Sequence, residues 1–334
     1  MNIQTDIAHI GNYKKYIEIT NATEEFLHSK QYLKLDLPVL APVLVPESYL
    51  EIFRTEFKYL NKKQNLYLTP SPELFIKRLL AYGIGNCYSL GKSFRNSEPE
   101  SSLHSPEFTM LEFYKVHASY MDIAEDVLQL MRYISQALNG SDSIVYKGHR
   151  IAFTQWEKLS VSEAFEKYAQ FEDTDLYNHA TFIEKAKKKG YRVEDFSFED
   201  IFSQIYVQEI EPHLGVNGYP TLLYDYPKEF AALAQLNNDD KTAQRFEFYI
   251  NGIELGDCYS ELTDPHQQAE RFKNEAELRA RSGKIQHPVD NGFVEALQHG
   301  LPQCAGVAIG FERLAMIFTN VSTIEELRLI NTSV

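Results

Sequence analysis

The sequence predicts an α+β fold, an antiparallel sheet flanked by helices, and three observations carry that expectation. Strand-like alternation and helical 3–4 spacing follow one another in an order that suits antiparallel strands, not βαβ repeats. An Asn251-Gly252 pair sits between alternating apolar residues, which is a strong short-range hairpin signal. Neither G-x-G-x-x-G nor G-x-x-x-x-G-K-[ST] occurs, so the two commonest phosphate loops are absent. At 334 residues, with 44% hydrophobic and 13% aromatic, the chain can bury a large core. That length suits about two domains, or one large unit with an insertion.

Taken in order, residues 12–31 read as an amphipathic helix with Tyr16, Ile19, Phe26 and Leu27 inward. A short strand, Tyr32–Asp36, runs into Pro38 and the loop LAPVLVPESYL. Gln64–Leu68 alternates as a strand, and Pro72–Tyr82 is a helix opening on proline. Cys87–Arg95 and Glu107–His117 read as long strands, followed by a helix at Tyr120–Leu138. From about residue 140 to 214 charged helical patterns dominate, which predicts a helical insertion. Strands return at Thr221–Tyr226, Arg245–Ile250 and Ile253–Ser260. Helices at Pro265–Arg281 and Asn291–His299 precede a Gly-rich strand, Ala305–Phe311, and a helix at Glu312–Phe318.

The formal charge is −14, from 33 Lys+Arg against 47 Asp+Glu, which argues against a broad nucleic-acid surface. No apolar run reaches the ~18 residues of a membrane span, and the N-terminus lacks the apolar core of a secretory signal. Three scattered cysteines form neither a disulfide framework nor a zinc pattern. The expected compartment is the cytoplasm.

Several residues could carry chemistry. On the strand EFTMLEFYKVH, period two puts Phe108, Met110, Glu112 and Tyr114 on one face. A carboxylate amid apolar neighbours is paired, awaits a cation, or lies on an edge strand in solvent. In RFEFYINGIELGDCYSEL a two-residue turn pairs Tyr249 with Glu254 and Glu247 with Gly256. Glu247 and Glu254 then share a face, where two carboxylates suit Mg²⁺; a solvated hairpin is the alternative. Asp257 and Glu261 join that face only through a bulge, for which Gly256 is the obvious place. Arg95 and Arg313 stand where guanidinium groups could clamp phosphates. Gly306 and Gly310 would let backbone approach a ligand.

The blocks YLTPSPELFIKRLLAYGIGNCYSLGKSFRN, HSPEFTMLEFYKVH, RFEFYINGIELGDCYSELTD and AGVAIGFERLAM together resemble class II aminoacyl-tRNA synthetases of the lysine branch. The resemblance is closest to that branch's truncated paralogues, which attach (R)-β-lysine to elongation factor P. It implies one catalytic domain over residues 1–334, with the insertion at about 140–214 and no anticodon-binding domain. It also implies a homodimer formed through a first motif that includes LKLDLPVL. By the same resemblance Arg95 holds the ATP α-phosphate and Arg313 the γ-phosphate. Glu98, His104, Phe108 and Gly310 complete the nucleotide site, with Phe108 stacking on adenine. Glu247 and Glu254 carry Mg²⁺, and Ser71, Glu73, Glu112, Tyr114, Asp257, Glu261 and Ala308 form the amino-acid pocket. Several carboxylates and a phenol suit a diamino acid with two ammonium groups.

Ser71 and Ala308 match the paralogues, where the synthetases have alanine and glycine. Methyl-sized changes in a pocket alter specificity by ~1–3 kcal/mol. The chain departs from the family where Glu98 stands one place late after Arg95, where Leu103 replaces an arginine, and at Asp257-Cys258 in place of Asn-Gly. The implied function is an ATP-dependent ligase that activates lysine or (R)-β-lysine as an adenylate and passes it to a lysine of elongation factor P. A minimal tRNA-charging enzyme and a silent amino-acid-binding regulator are the alternatives. Neither tRNA nor a membrane is the expected partner.

Overall fold

The computed structural model describes residues 2–97 and 101–331, which divide into two compact units. The first comprises Met1–Ala118 and Leu262–Val334; the second is Ser119–Glu261. The second unit thus contains the whole segment expected as an insertion, together with the Asn-Gly hairpin.

In the first unit, strand Glu107–Val116 lies between Cys87–Phe94 and Cys304–Gly310, antiparallel to both. Leu33–Lys34 adds to Cys87–Phe94 in parallel. Residues 109–114 are buried on both faces, as a central strand requires. Helix Ile7–Ser29 starts earlier than expected because Asp6 caps it, accepting from the backbone of Ala8 and His9. Ile19, Phe26 and Leu27 are buried as expected, whereas Tyr16 is half-buried. Strand Arg54–Tyr59 pairs with Lys62–Leu68 in a small three-stranded sheet. It was not expected, and every one of its residues is exposed, so no buried face marked it in sequence. Helix Pro265–Arg281 has the predicted bounds, set by Asp264 as N-cap and Pro265 at the first position.

In the second unit, Glu157–Ser160 runs parallel to Thr221–Pro227. The sheet continues antiparallel through Thr242–Ile250 to Ile253–Ser260. Helix Tyr120–Asn139 begins in a Ser119/Asp122 capping box and ends at Gly140 in the left-handed region. The insertion is mainly helical, but Ser143–Tyr146 and His149–Ala152 form a small hairpin and Glu157–Ser160 a sheet strand. Its core is aromatic: Phe165, Phe171, Phe182, Phe198 and Phe202 pack with Ile201, Ile205 and Ile210. Among the described residues, no helix is long and apolar enough to cross a membrane.

Candidate active site

The predicted residues fall into two groups, one in each unit. In the first unit Glu112 is 2% exposed on the central strand. Its Oε1 accepts from the Ser71 hydroxyl, and its Oε2 accepts from Tyr114 Oη at 3.1 Å. Ser71 Oγ in turn accepts from the Glu73 backbone N–H at 3.0 Å, which fixes the entry to helix Glu73–Ala81. The solvated reading of Glu112 is therefore excluded. Register puts Ala308 opposite Glu112 and Gly306 opposite Tyr114. A Cβ on Gly306 would lie 2.2 Å from Tyr114 Cε1, so the space that residue leaves is filled by the phenol ring, not kept for a ligand.

Glu73, expected to face a substrate ammonium, already has a cation. Lys77, one turn on and 2% exposed, forms an ion pair with it. Half-buried Glu47, which no sequence signal singled out, lies close enough to feel both Glu73 and Arg95. Burial, then the charge of Glu73, pushes its carboxyl up to about 7, while Arg95 opposes the rise.

Arg95 follows the strand Cys87–Phe94, and its guanidinium lies over the Phe108 ring, 5.4 Å from the centroid. Its Nε is shielded from water and makes no hydrogen bond among the described residues. Arg313, in the first turn of helix Phe311–Thr319 after Gly310, donates through Nε to Leu103 O at 3.2 Å. Through Nη2 it donates to His104 Nε2 at 2.8 Å. To accept there the imidazole must carry its proton on Nδ1, which lies 2.9 Å from Ser101 Oγ. The fold thus brings Arg95 to Phe108 and Arg313 to His104. Glu98 lies outside the described residues.

In the second unit the hairpin turns at Asn251 and Gly252, both with positive φ. Tyr249 pairs with Glu254 as expected, but Glu247 pairs with Asp257 and not with Gly256. The register shifts between Phe248 and Tyr249, leaving Leu255 as the extra residue of a bulge. One added residue flips all that follow. Glu247, Tyr249, Glu254 and Asp257 consequently share one face, which a regular strand would not allow. Glu261, fully buried, follows at the strand's end.

Several neighbours of Glu247 escaped sequence reasoning. Arg245 donates from Nη2 to Glu247 Oε1 at 2.8 Å, lies 3.8 Å from Asp257 Oδ2, and stacks on the Tyr226 ring. The Tyr249 hydroxyl donates to Glu247 Oε2. Burial pushes the phenols of Tyr206, Tyr226 and Tyr249 far above their ordinary range, and the charge of Glu247 adds to the rise, so all three keep their protons. Arg245 was readable as part of the RFEF block. Tyr206, forty-one residues from Glu247, left no trace in the pattern.

Among the described residues no group of three His, Cys, Asp or Glu side chains is placed to hold a metal alone. Two carboxylates on one face fit Mg²⁺ shared with a substrate's phosphates, which is its usual mode of binding.

The family model for class II tRNA synthetases (D, K and N) matches residues 11–331. An elongation factor P–(R)-β-lysine ligase of Hamiltonella defensa is 32% identical over 323 residues, 96% of this chain and 94% of that protein. One of Yersinia enterocolitica is 34% identical over 319 residues, covering 93% and 91%. A lysine–tRNA ligase of Carboxydothermus hydrogenoformans is 34% identical over 312 residues, 92% of this chain but only 62% of that protein.

Proposed function

Because the chain belongs to the class II tRNA synthetases of the D, K and N group, we propose that it activates lysine or (R)-β-lysine with ATP and transfers it to a lysine of elongation factor P. The observation that carries the acceptor is similarity along 94% and 91% of two ligases bearing that name. The observation that carries the donor is the buried Glu112 carboxylate, held by Ser71 and Tyr114 where a substrate ammonium can replace or share their bonds.

In the first step an oxygen of the amino-acid carboxylate attacks the α-phosphorus. A P–O bond forms as the bond to pyrophosphate breaks. Arg95, held over the Phe108 ring, donates to the α-phosphate oxygens as charge builds there. Arg313 holds the γ-phosphate, with His104 as its present acceptor standing in for phosphate oxygen. Phe108 carries the adenine ring, Gly310 leaves room before the helix N-terminus, and Glu98 completes the nucleotide site. Glu247 and Glu254 would hold Mg²⁺, which when bound neutralises phosphate charge. Glu73, Asp257, Glu261 and Ala308 complete the amino-acid selectivity.

In the second step a neutral lysine amine of the acceptor attacks the adenylate carbonyl, and AMP leaves with the mixed-anhydride oxygen. No side-chain nucleophile is needed; position and electrostatics supply the rate. We place the enzyme in the cytoplasm, in keeping with three buried cysteines that form no disulfide. We read the exposed apolar residues Leu33, Leu40, Phe57 and Tyr59 as part of a homodimer face.

The test is ATP–pyrophosphate exchange screened over α-lysine, both β-lysines and ornithine, followed by mass spectrometry of elongation factor P. Lysine- or β-lysine-dependent exchange and a mass gain on the factor are expected. Exchange with label passing to tRNA would establish the second reading, which the lysine–tRNA ligase match favours. Ligand binding with no exchange would establish the silent regulator.

A further inference from the structure

Nothing in the sequence gives the insertion a part in chemistry, but one of its turns reaches Glu247. Helix Phe198–Ile205 runs directly into a π-helical turn, Tyr206–Ile210, which packs beside a second one, Phe165–Ala169. Such turns are rare and concentrate at functional positions. The π turn begins at Tyr206, a buried residue whose hydroxyl meets three polar atoms. It donates to Tyr249 Oη, lies 3.2 Å from Tyr226 Oη, and stands 3.5 Å from Glu247 Oε2.

Each phenol has one proton to give. Tyr249 spends its own on Glu247, and Tyr206 spends its own on Tyr249. Tyr226, 3.2 Å from the Tyr206 hydroxyl, also has Glu247 within hydrogen-bonding reach, so the three phenols converge on one carboxylate. Arg245 takes the other oxygen and lies across the Tyr226 ring, closing the group. The bulge between Tyr224 and Tyr226 is what turns this part of the strand Thr221–Pro227 away from regular pairing.

We propose that Tyr226, Tyr206 and Tyr249 are positioning residues that fix Glu247 for Mg²⁺, so that the insertion sets how tightly the second unit holds the ion. The proposal rests on the reading of Glu247 as a metal ligand. A free glutamate samples many rotamers, and the ion must pay for ordering it. Here one oxygen is fixed by a guanidinium and the other by phenols, so the carboxylate is held in one orientation before a cation arrives. Donors that orient a metal-binding carboxylate typically change affinity by about 10–100-fold when removed.

Mn²⁺ titrated into the full chain, with and without ATP, tests this through loss of the free-ion electron paramagnetic resonance signal. Tyr249→Phe is expected to weaken Mn²⁺ binding by about 10-fold. Tyr206→Phe and Tyr226→Phe should each weaken it less, because Tyr249 makes the shortest bond to the carboxylate. Thermal melts on the same samples separate this from loss of folding, and Tyr206→Phe serves if Tyr249→Phe does not fold. Unchanged Mn²⁺ affinity in Tyr249→Phe and Tyr206→Phe, whatever happens to the melting temperature, overturns the proposal. Glu247→Gln distinguishes the two levels. If it weakens binding while the phenylalanine variants do not, only the role of the tyrosines is wrong. If it too leaves binding unchanged, Glu247 is not a ligand and both readings fall.

Discussion

At the scale of single residues, the pocket strand works by contacts of one methyl or one hydroxyl. Ala308 stands directly opposite Glu112, where paired Cβ atoms are about 5 Å apart. Ala308→Gly removes a methyl beside the carboxylate and should shift the exchange preference toward α-lysine by roughly 10-fold, within the ~1–3 kcal/mol that one such group controls. An unchanged α/β ratio would end that assignment. Gly306→Ala should drive the new Cβ into the Tyr114 ring and pull its hydroxyl from Glu112. A loss of about 1–3 kcal/mol in denaturant melts is expected, with a larger KM for the amino acid. Glu47 gives a pH signature. Its folded pKa is raised from 4.5 to about 7, so between those values the native state binds more protons than the unfolded chain. Its contribution to stability is complete below the lower value and is lost as pH rises through the higher. Glu47→Gln should flatten that fall; parallel stability–pH curves for variant and parent would contradict the assignment.

At the scale of elements, a buried arginine fastens the loop before strand Arg54–Tyr59 to the end of helix Pro265–Arg281. Arg279, 2% exposed, donates to Glu47 O and Leu50 O at 2.6 Å each, to Ile285 O through both Nε and Nη2, and to the Glu51 carboxylate at 3.2 Å. Glu51 O in turn accepts from Asn96 N–H at 3.0 Å, beside Arg95. Arg279→Met should lower stability by about 3–5 kcal/mol in chemical denaturation, because Glu51 is left a largely buried charge. Arg279→Lys should recover little, since an ammonium cannot match the fork. Parent-like stability in both variants would show that the clamp is redundant. None of this was legible in the loop LAPVLVPESYL, whose polar and apolar residues follow no period. The hairpin was legible, because Asn251-Gly252 fixes a turn through local backbone sterics alone. Its register was not, because a bulge depends on what packs against both strands.

At the scale of the whole molecule, charge dominates. With a net charge of −14, the folded chain repels itself, and salt should relieve that repulsion. Raising NaCl from ~10 mM to ~150 mM shortens the Debye length from about 30 to 8 Å and should raise the melting temperature. A fall would mean that attractive pairs such as Lys185–Asp175 and Lys189–Glu209 outweigh the excess of acids. The sequence by itself determined most helices and long strands, the hairpin turn and the family, because propensity, caps and four long blocks are local records. The i,i+4 spacing of Glu73 and Lys77 is likewise a local record, whereas the tertiary structure alone decided which acids share a face and that Tyr206 reaches Glu247. Those two facts depend on a one-residue slip in register and on a contact across forty-one residues, and no short-range pattern encodes either.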